Sequence, residues 1–517
     1  MKKMKLLLTV LLCAVLACPI EAQFLKNAVG NLVNSAVNGQ SKTENTQSSN
    51  VQTQSSSQSS NSSQSVQQSS SSSQAASQSS IANNNGKVYY VSKNGAARGA
   101  DGLTPATAKK DVQAVLNTIK ENKEDGAIVR MSEGNFLGYT NQGYIEVSNF
   151  ITIEGGWNAD FTERDPLKYI TKIEPGEEQR GTNGTRPLIY LNGLDDVMAK
   201  SAKGTLVIDG LMLNLGMENF YKPNNPNDER NGCPSAAFET GRMEDATPPQ
   251  MNHQIIYSNG MVAGNVIIRN CLIANSPYFG IQFGSRRGEI EIYNNVIISN
   301  RYGGCRIHGG DKTGEGTHID FHHNTVAFSW CRDKFMEDMG YGFEYMTLVN
   351  ADVHHNLFVG NNYAAVARTH ALSGPDAPIE AKRVTNLYDN YYFLNAADLQ
   401  LPSKGGGKWT NVKCTDIEEM VDEKTLPKAE NNLELPAGDA VINAFDKDYL
   451  EAFANLKVIA SSSNFNPNSA SNQFRQATGQ NMQGTEIRRV SMYGNRYNFE
   501  KAMQLFGAKA NYGAQRP

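Results

Sequence analysis

Cysteine is scarce in this chain, and its placement excludes two ways of holding a protein together. Of seven cysteines, Cys13 and Cys18 lie in the first 22 residues, while Cys233, Cys271, Cys305, Cys331 and Cys414 are scattered and odd in number. They make neither a metal-finger spacing nor a dense disulfide framework, so stability has to come from packing. Positive charge is not in excess either. Removing Lys2, Lys3, Lys5 and Glu21 with an export signal leaves 45 basic and 51 acidic residues of the original 48 and 52, a balance of −6. Such mild acidity argues against nucleic acid, whose phosphates demand a basic surface. The apolar run from Leu6 to Ala17 is too short to cross a bilayer.

With the three lysines before it, that run reads as a secretory signal peptide over residues 1–22. Two cleavages compete. One falls after Ala22; the other treats Val15-Leu16-Ala17-Cys18 as an imperfect lipobox and would tether the protein to a membrane through lipid on Cys18. Leu16 at the middle position and Pro19 after the cysteine favour Ala22. The expected location is therefore outside the cytoplasm: secreted, periplasmic or on the outer cell surface. Residues 23–86 form a linker. Phe24, Leu25, Val29, Leu32, Val33 and Ala36 have the spacing of a short amphipathic helix. From Gln40 to Ser80 the chain is nearly all Ser, Gln, Asn and Thr, without charge after Glu44. Nothing in it can build a core, and about forty such residues have a root-mean-square span of roughly 35 Å.

What is present is a repeat. Five segments share one pattern: Ile267 to Leu272, Ile292 to Ile297, Phe321 to Val326, Val353 to Phe358 and Leu387 to Tyr392. Aligned on Asn270, Asn295, Asn324, Asn356 and Asn390, the residues three before and two after are apolar, and Asn275, Asn300, Ser329, Asn361 and Asn395 stand five after. The asparagines are 25, 29, 32 and 34 residues apart. Short strands recurring at this period must stack coil on coil, and an asparagine amide can bond to the coils on both sides. The pattern resembles the right-handed parallel β-helix of the pectin-lyase-like superfamily, with its internal asparagine ladder. Leucine-rich repeats are the rival solenoid, but their Leu-x-x-Leu-x-Leu signature is missing.

The fold expected is all-β: a right-handed parallel β-helix over residues 87–404, with an N-terminal capping helix and a partly helical tail over 405–517. The strand at Lys87 to Val91, the helix from Asp111 to Asn122 and the strand from Ala127 to Met131 resemble the amino-terminal cap of β-helix proteins, as does the turn-rich Ile151 to Asn158 with Arg164-Asp165-Pro166. Between Met217 and Gly264 the rhythm stops, predicting a long inserted loop of the kind that walls a groove. After Lys404 the repeat ends, and helices are expected around Tyr449 to Phe453 and at Phe499 to Leu505.

Strand alternation turns the residues two, four and six before each asparagine outward. The triplets are Glu289, Glu291 and Tyr293; His318, Asp320 and His322; Asn350, Asp352 and His354. Stacking at about 4.8 Å predicts a column of Glu291, Asp320 and Asp352 beside one of Tyr293, His322, His354 and Tyr388. Seven of the eight histidines fall between His308 and His370. Stacked carboxylates repel and call for a positive charge. A divalent cation held by Glu289, Glu291, His318, Asp320, His322, Asp352 and His354 is one source: calcium if oxygen ligands dominate, zinc if the imidazoles do. Arg306 and Arg368 folding over the column is the other. Arg306-Ile307-His308 and Arg368-Thr369-His370 repeat an Arg-x-His pattern and are the candidate catalytic residues; Arg286, Arg287, Lys312, Arg332 and Lys334 lie in the adjoining loops. A ladder of stacked His, Asn and Tyr that only stabilises would show the same pattern, and His323 and His355 belong to its turn.

Three function classes stay open: a polysaccharide-binding protein, a polysaccharide lyase or glycoside hydrolase, and an adhesin-like structural protein. Glu289-Ile290-Glu291 resembles the paired-acid calcium ligands of chondroitinase-B-like and alginate lyases, which neutralise a uronate carboxylate and remove the neighbouring proton. Their Lys-Ser is replaced here by Val296-Ile297-Ile298-Ser299. No polygalacturonase-like aspartate cluster supports hydrolysis by two carboxylates.

Overall fold

The computed structural model describes residues 86–446 and 497–517, apart from 97, 139–142, 176–186, 217–253, 277, 313–315, 330–339, 362, 371–373, 396, 403–408, 422–425 and 437. The signal peptide, nearly all of the linker, most of the expected insertion and the helix expected around Tyr449 lie outside the described residues. Within them the chain is a parallel β-helix. Successive coils lay strands into three long sheets, and strand order within each sheet follows the chain. The first sheet has ten strands, from Val88–Ala96 to Lys428–Glu430. The second has nine, from Gly134–Leu137 to Leu433–Glu434. The third begins at Ile145–Val147 and ends on Trp409–Val412, which turns back antiparallel against Leu399–Pro402.

Alternation along the first sheet follows the expected period of two. In Thr317–His322 and Val349–His354 every second residue is buried and the others are half-exposed. Inside, Phe321 stacks on Phe343 at 4.2 Å and on Phe358 at 6.4 Å, and Phe358 stacks on Tyr392 at 5.5 Å. The helix Val112–Asn122 closes the amino-terminal end with Val112, Val115, Leu116 and Ile119 buried, its start capped by Asp111. Its Gln113 side chain accepts from the Glu146 N–H at 2.7 Å and donates to the Glu146 carbonyl at 3.4 Å, satisfying the first strand of the third sheet. In the turn-rich Ile151 to Asn158 stretch, Arg164 binds the Gly155 carbonyl and the buried Asp209, so this motif is structural.

The asparagine ladder is buried and continuous. Asn324 Oδ1 accepts from the Asn295 backbone N–H at 3.1 Å, and its Nδ2 donates to the Ile292 carbonyl at 2.8 Å and to Asn356 Oδ1 at 3.2 Å. Asn356 repeats this with the Asn324 N–H and the Phe321 carbonyl. Asn324→Ala and Asn356→Ala are each expected to cost about 1–3 kcal/mol, because each strands a buried N–H and a buried carbonyl. Chemical denaturation checks this; unchanged midpoints would contradict the ladder's energetic role.

Three expectations change. First, the earliest segment is out of register by one residue. Ile268 pairs with Ile292 and Leu272 with Val296, so Cys271 takes the ladder position and donates its N–H to Asn295 Oδ1 at 3.0 Å. Asn270 occupies the corner before it, with φ of 55°. Five residues on, Ser276 takes the second ladder position and donates to Asn300 Oδ1. Second, the insertion is shorter than its silent rhythm suggested, since Ile256–Ala263 is a strand of the third sheet, paired with Ile189–Leu191 and Phe279–Arg287. Third, coils continue past Gly407: Lys428–Glu430 joins the first sheet and Asn432 extends the ladder from Asn390. Glu434, two after Asn432, breaks the apolar pattern and conceals this coil.

The end of the chain is a lateral strap rather than a terminal plug. It contains the expected helix, at Phe499–Met503. Tyr497, Ala502, Leu505, Phe506 and Ala514 pack onto Met212, Leu272, Val296, Phe328 and Leu357 on the outer side of the second sheet. Asn275, released from the ladder, pins the strap by accepting from the Tyr497 N–H at 2.8 Å and donating to its carbonyl at 3.1 Å.

Candidate functional site

The predicted columns exist, residue for residue. On the first sheet Glu289 pairs with His318, Glu291 with Asp320 and Tyr293 with His322. Asp320 pairs with Asp352, His322 with His354, and His354 with Tyr388. The rings of Tyr293, His322, His354 and Tyr388 form one stack, with successive centroids 4.9, 4.9 and 4.8 Å apart. These outward side chains are half-buried to exposed.

The compensating positive charge comes from inside the face. His318 Nδ1 lies 2.7 Å from Glu289 Oε2 and its Nε2 lies 3.0 Å from Asp352 Oδ2. A ring with a carboxylate on each nitrogen holds both protons. The bonds to Asp352 and then Glu289 push the His318 pKa up to about 10, against partial burial. The bond to His318, and then that from Asn386, holds the Asp352 carboxyl below its ordinary range. For Asp320, burial alone would raise the pKa, but contact with His354 outweighs it and the value is lowered. His354 Nε2 lies 3.0 Å from Asp320 Oδ1, off the line of a straight hydrogen bond, and His322 Nε2 lies 3.6 Å from Glu291 Oε1. Four carboxylates thus face the fixed imidazolium of His318 and the two imidazoles of His322 and His354.

Linkage gives this pairing a pH signature. The folded-state pKa of His318 lies above its ordinary 6.5, so its contribution to stability is complete below pH 6.5 and is lost as pH rises towards 10. The melting-temperature gap between wild type and His318→Gln is expected to close across that window. A gap independent of pH from 6 to 10 would contradict a protonated His318.

The Arg-x-His repeats lie elsewhere. Both are on the third sheet and out of register with each other, since Arg306 pairs with Glu344 and Glu344 with Ala367, while Arg368 aligns with Tyr345. Arg306 Nε binds Glu344 Oε2 at 2.6 Å, and its guanidinium lies over the Phe279 ring. Arg368 is buried against Glu380. Neither arginine neutralises the acidic columns, because each carries its own carboxylate partner. Burial and then Arg306 push the His308 pKa down to about 4, and burial lowers that of His370, which bonds to Thr369. Of the cations expected in the adjoining loops, Arg286 and Arg287 instead end the strand Phe279–Arg287, and both, like Lys312, are paired: Arg286 with Asp195, Arg287 with Asp311 and Lys312 with Asp376. Arg332 and Lys334 lie outside the described residues.

Two residues of the first-sheet site were hidden in the sequence by their corner position. His323 and His355, read there as parts of the turn, also touch the face. His322 and His323 meet through their Nδ1 atoms at 2.8 Å, and His354 and His355 likewise at 2.9 Å. Burial, then the neighbouring imidazoles, pushes the His323 pKa down to about 3, and burial lowers that of His355. His322, His323 and His354 place ring nitrogens within 4.8 Å of one another. Glu344 was missed as the partner of Arg306; only its place two residues after an apolar Tyr-Gly run marked it.

No family model, no curated protein and no solved structure matches the chain. The function therefore has to be argued from this face.

Proposed function

We propose that the protein is exported and engages a polysaccharide along the outward face of its first sheet. The observation that carries this reading is axial repetition. From Glu289 to Tyr388, three aligned columns of carboxylate, imidazole, amide and phenol advance one coil at a time, about 4.8 Å per step. A linear polymer lying along the axis meets similar groups at each step; a compact metabolite would use one coil and leave the rest unexplained. Glu291 Oε2 is a buried acceptor without a hydrogen-bond partner among the described residues, and a sugar hydroxyl would supply the donor. The amino-terminal signal and the Ser/Gln-rich linker support display in the secreted, periplasmic or outer-surface space, with a membrane tether if Cys18 carries lipid. The stacked coils support kinship with the right-handed β-helices of the pectin-lyase-like superfamily, a likeness that speaks to fold and leaves the chemistry to the site.

One observation favours cleavage as a second reading. An imidazole held against a carboxylate, as His354 is against Asp320, is equipped to accept a proton. Polysaccharide β-elimination or hydrolysis would use it. Arg306, His308, Arg368 and His370 have no part in either reading, since they lie on another sheet.

The test is incubation with uronic-acid, neutral and amino-sugar polymers, followed by absorbance of unsaturated ends, reducing sugar and co-sedimentation. Binding without turnover is the expected result. New unsaturated or reducing ends would convert the assignment to lyase or hydrolase. Neither binding nor turnover would favour an adhesin-like structural role.

A further inference from the structure

The corner residue before each ladder position is in the left-handed region in six successive coils: Asn270, Asn294, His323, His355, Asp389 and Asn431 have φ between 51° and 57°. Asparagine and aspartate are the side chains this conformation accommodates best after glycine, and four of the six corners use them. Histidine stands at the other two. Those are the two coils in which the adjacent outward residue is also histidine, giving His322-His323 and His354-His355. Backbone geometry does not ask for imidazole at these corners. In the outward column stacking does not ask for it either, since Tyr293 and Tyr388 continue the stack of His322 and His354 at both ends; in the corner column His323 stacks on His355, and Tyr512 stacks on His355 at 5.6 Å.

The result is a two-by-two grid of imidazoles. His322 stacks on His354 and His323 on His355, both at 4.9 Å. Within each coil the Nδ1 atoms face each other at 2.8 and 2.9 Å. The Nε2 atoms of His322 and His354 point the other way, towards Glu291 and Asp320. A carboxylate behind the distal nitrogen is what orients a metal-ligating histidine and raises its basicity. All four rings are half-buried, neither sealed in the core nor free in solvent.

We propose that His322, His323 and His354 form a binding site for a borderline transition-metal ion of the Zn²⁺ or Cu²⁺ class. Imidazole nitrogen selects these ions, whereas calcium requires oxygen donors. Of the oxygen donors on this face, Glu289 and Asp352 are already bound to His318. Two Zn–N bonds of about 2.1 Å span at most about 4.2 Å. Donor atoms within 4.8 Å of one another therefore close on an ion through small ring rotations. The ion replaces the proton shared by His322 Nδ1 and His323 Nδ1, which passes through solvent to His323 Nε2, so both rings ligate as neutral imidazoles. His355, stacked beneath His323, is the fourth ring of the grid and keeps its own hydrogen bond to His354 until the ion draws His354 away.

The test is calorimetric titration of the chelator-stripped protein with ZnCl₂, and with CaCl₂ as control, in the absence of any polysaccharide. Its failure is thus separable from failure of the polysaccharide reading. His323→Asn restores the residue found at the same corner at Asn294, and His354→Tyr restores the ring found at Tyr293 and Tyr388, so both variants keep the backbone and the stack. One equivalent of Zn²⁺ is expected for wild type, with affinity at least tenfold weaker in each variant and no response to calcium. Co²⁺ bound to the wild type should show the intense visible bands of a low-coordinate nitrogen site, a readout that needs no variant. Absence of Zn²⁺ binding, wild-type affinity in both variants, or a Co²⁺ spectrum like that of the aquo ion would each overturn the site and leave the grid as a stabilising stack.

Discussion

Replacing Glu380 with alanine is expected to destabilise the protein by about 3–5 kcal/mol. Arg368 is 6% exposed and Glu380 3%, and the two are paired at the corner between the third and first sheets. Glu380 Oε2 also accepts from the Leu348 N–H at 2.9 Å. Removing the carboxylate leaves a buried guanidinium without its counter-charge and a buried N–H without an acceptor. Water cannot readily reach either group. Urea unfolding measures the loss; a change below about 1 kcal/mol would mean that the corner admits solvent. A large loss would fix Arg368 as part of the scaffold and remove it from any account of catalysis.

Phe506→Ala is expected to cost about 3–5 kcal/mol, in the range for emptying a buried aromatic site. Phe506 is 2% exposed and belongs to the apolar cluster between the strap and the second sheet, with Phe328, Leu505 and Tyr497. The second sheet needs this cover because Leu272, Val296 and Leu357 project from it into the cluster, each almost fully buried. Loss of the aromatic ring should also loosen the bonds between Tyr497 and Asn275. The expected accompaniment is binding of a hydrophobic dye before the main thermal transition. An unaltered melting curve would contradict the strap's role as an outer wall of the solenoid.

How far the sequence could be read depended on how locally each feature is encoded. The outward columns from Glu289 to Tyr388 were legible because strand alternation fixes one coordinate and the ladder asparagine fixes the other. Where two asparagines compete, that second coordinate fails. Asn294-Asn295 contains both the left-handed corner and the ladder residue, whereas Asn270-Cys271 contains only the first. Aligning Asn270 with Asn295 thus shifted one coil and made Ile267 look inward, although it aligns with the outward Glu291. The Arg-x-His repeat misled for a related reason. Arg306 and Arg368 sit in strands with different entry points, so equal motifs landed on opposite faces of the third sheet. The strap was illegible, because its contacts join residues 222 apart, such as Asn275 and Tyr497, and no local pattern records them. The source of the compensating charge could not be chosen either. His318 reaches carboxylates in both neighbouring coils, and only the assembled register brings Glu289 and Asp352 to its two nitrogens.

The claim that the first sheet carries the ligand is tested most directly by polysaccharide affinity in two outward-face variants measured side by side. Asp352→Asn alters the first-sheet columns while keeping size, giving up one of the two bonds that Asp352 accepts from His318 and Asn386; Gln282→Ala alters the equivalent outward column of the third sheet, where Gln282 aligns with Arg306. The prediction is at least a tenfold loss of affinity for Asp352→Asn and wild-type affinity for Gln282→Ala. Wild-type affinity for Asp352→Asn together with loss for Gln282→Ala would move the ligand to the third sheet and contradict the account.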